Sequence, residues 1–247
     1  MNTLANNLHR VHERIATAAR RSGRDPSDIT LVAVTKTHPA ETIVEAYELG
    51  VRHFGENRVE EAAEKIPAVR ARLPPDAVIT WHMVGHVQSR KTEAVARLFD
   101  WVHSVDSLKL AERLSRFAEQ QNKTLCVLLE FNVSGEASKY GLRVKGDGVT
   151  GDLDVLKQVE AIAVLPHLKV EGLMTMAPIV ATPEQTRPVF RALRRWRDQL
   201  ATRFPQCEWR YLSIGMTDDY EVAIEEGATI VRIGRAIFGE RKAGGTD

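Results

Sequence analysis

A chain of 247 residues matches the about 250 residues of one (β/α)8 barrel and leaves no length for a second domain. Its 34 Lys+Arg against 33 Asp+Glu, a net charge of +1, exclude the basic excess of a dedicated nucleic-acid binder. With 43% hydrophobic and 27% charged residues it is not a disordered chain, and no run approaches the roughly 18 apolar residues of a membrane span.

Residues 1–24 are rich in arginine and hold a single acid, Glu13. Leu4, Leu8, Val11, Ile15 and Ala18 recur at steps of three and four, one apolar stripe on a helix. A mitochondrial transit peptide has a similar look, but a strand begins almost at once at Ile29, so a helix packed on the domain is expected. Strands are predicted at Ile29–Val34, Val51–Phe54, Val78–His82, Trp101–Ser104, Leu125–Asn132, Lys169–Met174, Trp209–Ser213 and Thr229–Ile233. Helices are predicted near 40–49, 57–72, 88–98, 107–120, 152–164, 183–203 and 217–226. Strands alternating with helices at this spacing imply right-handed βαβ units and a parallel sheet. Gly50 and Gly227 stand where helices stop, while Asp106 and Thr217 stand where N-caps are expected. Gly146, Gly148 and Gly151 mark a surface loop in 143–152 rather than a domain boundary. Cys126 and Cys207, the only cysteines, cannot build a disulfide framework, and a reduced thiol in the reducing cytoplasm is expected.

Eight strands close into a barrel or stay open as a doubly wound sheet. The barrel is favoured because polar residues recur at the C-terminal ends of several strands, where barrel active sites lie. Lys36 closes the run Leu31-Val-Ala-Val-Thr-Lys36. Burial there would lower its pKa and make it a nucleophile toward aldehydes; the plainer alternative is a lysine reaching into water. Tyr211-Leu-Ser-Ile-Gly-Met-Thr-Asp-Asp219 runs from a strand through Gly215 into a helix, an arrangement suited to an anion, with Ser213 and Thr217 as added donors. Thr229-Ile-Val-Arg-Ile-Gly-Arg235 repeats it after the eighth strand, and barrels build phosphate sites in these two slots. An amine trap facing a phosphate cradle suggests a phosphorylated aldehyde, and pyridoxal 5′-phosphate is such a molecule. Arg232 would then keep the pyridine nitrogen unprotonated, or else pair with Glu225 or Glu226.

Other patterns are weaker. His82 and His86 lack the partner a metal site needs. Gln88-Ser-Arg-Lys91 and the arginines 191, 194, 195 and 197 are expected to be solvated helix faces, and Lys139 a solvated lysine, in Ser138-Lys-Tyr140, rather than a transient acceptor of the aldehyde.

Ala33-Val-Thr-Lys36, Phe54-Gly-Glu-Asn57, Trp81-His-Met-Val-Gly85, Gln88-Ser89 with Lys91, Gly172-Leu-Met174, Ser213-Ile-Gly-Met-Thr-Asp-Asp219 and Arg232-Ile-Gly234 with Ile237-Phe-Gly239 stand in this order. As a set they resemble the family of pyridoxal phosphate homeostasis proteins, over about residues 5–240. The resemblance implies one alanine-racemase-like, fold-type III (β/α)8 TIM barrel over residues 1–247 with an extra N-terminal helix, holding pyridoxal 5′-phosphate as a Schiff base (aldimine) on Lys36. By the same resemblance Ser213, Gly215, Met216, Gly234 and Arg235 surround the phosphate, Arg232 meets the pyridine nitrogen, and Asn57 and Met176 lie near the ring. It further implies a non-catalytic carrier that supplies the cofactor to apo-enzymes, a cytoplasmic monomer with no nucleic-acid or membrane partner.

The alternative is an amino-acid racemase, which needs acid–base groups on both faces of its substrate. In racemases of this fold the opposite tyrosine comes from an extra C-terminal domain. The chain closes eight residues after Gly239, so none is expected, and Met176 replaces their ring-facing histidine. Two departures from the family stand out: the glycine-rich 143–152, and His38 where lysine is expected. Both are expected to bear on loop dynamics and transfer, away from the cofactor.

Overall fold

A computed structural model describes residues 3–136, 139–144 and 152–240. The chain lays down β1 Thr30–Val34, β2 His53–Glu56, β3 Thr80–Met83, β4 Trp101–Val105 and β5 Leu125–Asn132. Two-residue β6, Leu142–Arg143, lies along the end of β5, and β7 Leu168–Met174, β8 Tyr211–Ser213 and β9 Ile230–Ile233 follow. Pairing runs β1–β2–β3–β4–β5–β7–β8–β9 and back to β1, every step parallel. The eight-stranded ring is closed, so the barrel wall leaves no strand edge unpaired. The expectation of a barrel rather than an open sheet holds.

Helices cover the outside: α1 Thr3–Arg21, α2 Ala40–Glu48, α3 Val59–Arg70, α4 Thr92–Leu98, α5 Leu108–Gln120, α6 Leu153–Ala163, α7 Arg187–Arg203, α8 Tyr220–Glu225 and α9 Arg235–Phe238. Alternation along each strand separates two apolar layers. The larger lies between wall and helices and includes Phe54, Trp81, Phe131 and Trp196. The smaller fills the lumen with Val32, Val34, Val84, Leu128, Met174 and Ile230, against Trp101 and Tyr211. The stripe Leu4, Leu8, Val11, Ile15 and Ala18 is buried on α1, which packs on α8 and α9, where Asn7 Nδ2 donates to the Ile237 carbonyl at 3.0 Å.

Element ends shift from their predicted places for local reasons. The strand expected from Trp209 starts at Tyr211 because Trp209 has φ 45° and turns its Nε1 to the Phe204 carbonyl. Val78 is 70% exposed, ahead of a strand that begins at Thr80. Ser107, not Asp106, caps α5 by accepting from the Leu110 N–H, while Asp106 pairs with His86. Asp219, not Thr217, holds the N-cap position of α8, because its carboxylate accepts the Met216 N–H at 2.7 Å and turns the chain first. Gly50 and Gly227 sit just past α2 and α8 at φ 96° and 105°, as expected of C-terminal glycines. The glycines 146, 148 and 151 and Ser138 lie outside the described residues.

Candidate functional site

At the C-terminal end of the barrel a cleft of about 510 Å³ opens. Lys36 enters it two residues past β1, half-buried rather than sealed in the apolar run. The residues on either side of it are fastened. The Thr35 hydroxyl donates to Glu56 Oε1 at 2.6 Å, and its carbonyl accepts from Lys65 Nζ at 2.8 Å. The Thr37 N–H donates to Glu61 Oε1 at 2.5 Å, with Thr37 held at φ 67°. A non-glycine residue in that region stores strain that its surroundings must hold. Lys65 Nζ closes the brace on Glu56 at 2.8 Å and Glu61 at 2.5 Å. Burial pushes the Glu56 carboxyl up despite Lys65, and its Oε2 has no partner. Glu56, Glu61 and Lys65 were not among the predicted site residues. Their signal was a carboxylate ending an apolar strand and an i,i+4 Glu–Lys pair on the next helix.

Across the cleft, Arg232 rises from β9, 5% exposed. Its Nη1 donates to the Ser213 carbonyl at 2.7 Å and hydroxyl at 2.6 Å, and its Nη2 to the Thr175 carbonyl at 3.1 Å. Burial lowers its pKa to about 10, so it stays charged at neutral pH. The alternative pairing with Glu225 or Glu226 is not formed: those acids bind Arg21, Arg187, Arg191 and Arg194, which also neutralises most of the basic face of α7. Glu130, buried beside the lumen, is pushed up to about 7 by desolvation, with Asp106 adding to the rise.

Seven of the nine predicted site residues line the cleft: Lys36, Asn57, Met176, Met216, Arg232, Gly234 and Arg235. Ser213 and Gly215 do not. Ser213 is fully buried beneath Arg232, with its hydroxyl also 2.9 Å from His103 Nδ1. Gly215, at φ 90°, is required by packing: a Cβ would lie 2.6 Å from Ala223 Cβ and 2.8 Å from Tyr220 Cα. Asn57 Oδ1 is buried without a partner at the cleft wall, an acceptor awaiting a donor. Arg235, half-exposed, is held by both Asp218 oxygens at 2.5 and 2.6 Å. His38 also lines the cleft, packed at a tilt of 38° against Phe238 with centroids 4.9 Å apart, so that departure is nearer the site than expected.

Lys139 donates to the Met176 carbonyl at 3.1 Å and pairs with Glu136, so it is anchored at the rim rather than merely solvated. Lys91 pairs with Glu60. Among the described residues no group of three or more His, Cys, Asp or Glu is placed to hold a metal, and no helix is long and apolar enough to cross a membrane.

The family described as the N-terminal domain of alanine racemase matches residues 6–242. A curated relative from Pseudomonas aeruginosa, named pyridoxal phosphate homeostasis protein, is 43% identical over 244 residues, covering 99% of this chain and 98% of its own. The solved structure of PipY from Synechococcus elongatus PCC7942 with pyridoxal phosphate bound is 37% identical, with TM-score 0.76, covering 93% of this chain and all of its own. An alanine racemase from Clostridium difficile 630 shares the fold at 16% identity and TM-score 0.68, over 96% of this chain and 56% of its own.

Proposed function

The chain belongs to the pyridoxal phosphate homeostasis proteins, within the alanine racemase N-terminal-domain family, and from that premise we propose that it binds pyridoxal 5′-phosphate on Lys36 and supplies it to apo-enzymes. One observation carries most weight: a braced primary amine and a buried, charged arginine open into the same cleft. The residues present fit the cofactor. Asn57 offers an unpartnered buried acceptor, Gly234 keeps the lining free of a Cβ that would crowd the Val34 carbonyl oxygen at 3.0 Å, and Arg235 supplies a cation at the rim. Bound pyridoxal phosphate supplies an aldehyde carbon whose oxygen leaves as water when a primary amine takes its place. In this assignment Lys36 is that amine, Arg232 faces the pyridine nitrogen, Asn57 and Met176 flank the ring, and Met216, Gly234 and Arg235 surround the phosphate. Ser213 and Gly215 act from behind, by holding Arg232 and by letting the 213–219 turn pack on α8.

The role is that of a carrier rather than a racemase, as a cytoplasmic monomer. Met176 offers no acid or base in the cleft. The half-buried, unpaired Cys126 and Cys207 agree with a reducing compartment, and burial raises the Cys126 thiol to about 11. Adding pyridoxal phosphate to the purified protein should give a visible absorption band, and borohydride should fix the cofactor to the Lys36 peptide in a mass spectrum. Lys36→Ala should abolish both. A wild-type protein that stays colourless refutes cofactor binding. Conversion of L- to D-alanine lost in Lys36→Ala would replace the carrier role with catalysis, whereas transfer to an apo-enzyme faster than spontaneous release supports it.

A further inference from the structure

Among the described residues, a line of polar side chains crosses the mostly apolar lumen. His53 on β2, His82 on β3, His103 on β4, Ser213 on β8 and Arg232 on β9 are joined end to end. His53 Nδ1 lies 3.0 Å from His82 Nε2, His82 Nδ1 lies 2.9 Å from His103 Nε2, and His103 Nδ1 lies 2.9 Å from the Ser213 hydroxyl, which Arg232 Nη1 reaches at 2.6 Å. His82 and His103 are 1% and 0% exposed, and His53, at the start of β2, is half-buried at the opposite end of the barrel from the cleft.

Arginine fixes the direction of this line, because a guanidinium only donates. Ser213 Oγ accepts from Arg232, and among the described residues its proton has no acceptor within reach other than His103 Nδ1, to which it goes. A neutral imidazole that accepts at Nδ1 carries its proton on Nε2. His103 therefore donates to His82, and His82 in turn to His53. A second proton on either inner ring would put two donors face to face in an apolar lumen beside a cation. Burial holds His82 and His103 well below the ordinary histidine range, with the Arg232 charge adding to the effect on His103, and burial also lowers His53. The three ring dipoles are thus aligned, with their negative ends toward Arg232. Among the described residues no carboxylate pairs with Arg232; its hydrogen-bond partners are the neutral oxygens of Ser213 and Thr175, and Asp219 and Glu130 act on it only at longer range. Hydrogen bonds in a chain polarise one another.

We propose that His53, His82 and His103 form an oriented chain of neutral Nε2-protonated imidazoles that makes Ser213 a strong acceptor and so holds Arg232, with its charge unneutralised, aimed into the cleft. They are positioning residues for the arginine. The orientation follows from the unliganded chain; its consequence for the ring nitrogen rests on the pyridoxal phosphate assignment above.

The two parts are tested separately. In the unliganded full chain labelled with 15N-histidine, long-range proton–nitrogen correlation at neutral pH should report His82 and His103 as neutral and protonated on Nε2. An imidazolium or an Nδ1-protonated ring at either position overturns the chain. In the cofactor-loaded protein, His103→Phe should move the nitrogen resonance of ring-labelled pyridoxal phosphate and speed cofactor release roughly threefold to tenfold, the fold-change of one lost neutral hydrogen bond. His103→Gln, whose amide both accepts and donates, should restore most of both. Unchanged resonance and release in His103→Phe overturn the positioning role. Should His103→Phe not fold, His53→Phe severs the first link and should displace the His82 and His103 signals; their constancy refutes the chain. If the wild-type chain takes up no pyridoxal phosphate, the functional assignment fails while the tautomer result still stands or falls by itself.

Discussion

Among the described residues the barrel buries two lysine or arginine side chains, Lys65 outside the wall and Arg232 inside it, and treats them in opposite ways. Lys65 meets two carboxylates, Glu56 and Glu61, within 2.8 Å, so its charge is cancelled where it lies. Arg232 is surrounded by carbonyls, a hydroxyl and a row of neutral rings, so its charge is solvated without being cancelled. A paired charge in a low dielectric acts as a bracket, here one that holds Thr35 and Thr37 on either side of Lys36. An unpaired charge held by dipoles keeps its field for whatever enters the cleft. Architecture and chemistry are thereby assigned to different cations.

The strongest way to break this contrast is Glu56→Ala. It strips Lys65 of its most buried partner and Thr35 of its closer acceptor, and should cost about 3–5 kcal/mol in urea unfolding; a loss below about 1 kcal/mol would mean that the brace is ornamental. Next comes pH. The Glu130 carboxyl is raised from 4.5 to about 7 in the folded chain, so the native state holds a proton that the unfolded state releases first. Its contribution is full below about pH 4.5 and is lost as pH rises to about 7, by at most about 3 kcal/mol. Glu130→Gln should flatten that part of the stability–pH curve. Arg232→Met should change unfolding by less than about 1.5 kcal/mol, since an apolar side chain can replace a buried ion at little cost, yet weaken pyridoxal phosphate binding about tenfold or more by equilibrium titration. Equal losses in the two measurements would erase the difference between bracket and field. The smallest effect belongs to Asp218→Asn, which frees the exposed Arg235. Affinity for pyridoxal phosphate should rise by a few-fold at low salt and fall back in high salt, as suits a surface pair worth under about 1 kcal/mol.

Much of this was legible in the sequence. Apolar runs of four to eight residues separated by amphipathic segments carry the barrel's order, and strand-end residues such as Lys36, Asn57 and Arg232 stand out because they interrupt those runs. Ser213 and Gly215 lie behind the cleft lining for a physical reason. A hydroxyl at a strand end faces the lumen or the loop according to the pleat, and glycine serves a ligand or a packed helix equally well. The histidine line could not be read at all: its links join residues 29, 21 and 110 positions apart, and only the lateral register of neighbouring strands brings them together. The Glu56–Lys65 brace was half visible, since the i,i+4 pair is local but the strand carboxylate it meets is not.

The closing seam of the barrel has a consequence for how the protein is made. β1 pairs with β9, and Asn7 on the first helix bonds the Ile237 carbonyl, 230 residues away. Contacts at such separation must wait for the intervening loop to close, which slows folding. While the ribosome still holds the last two elements, the first strand has a free edge and the first helix an uncovered apolar stripe. Arg232 and Arg235 ride on those last elements. Newly made chains should therefore acquire affinity for the cofactor in one late step, once β9 and α9 have joined the first strand and helix.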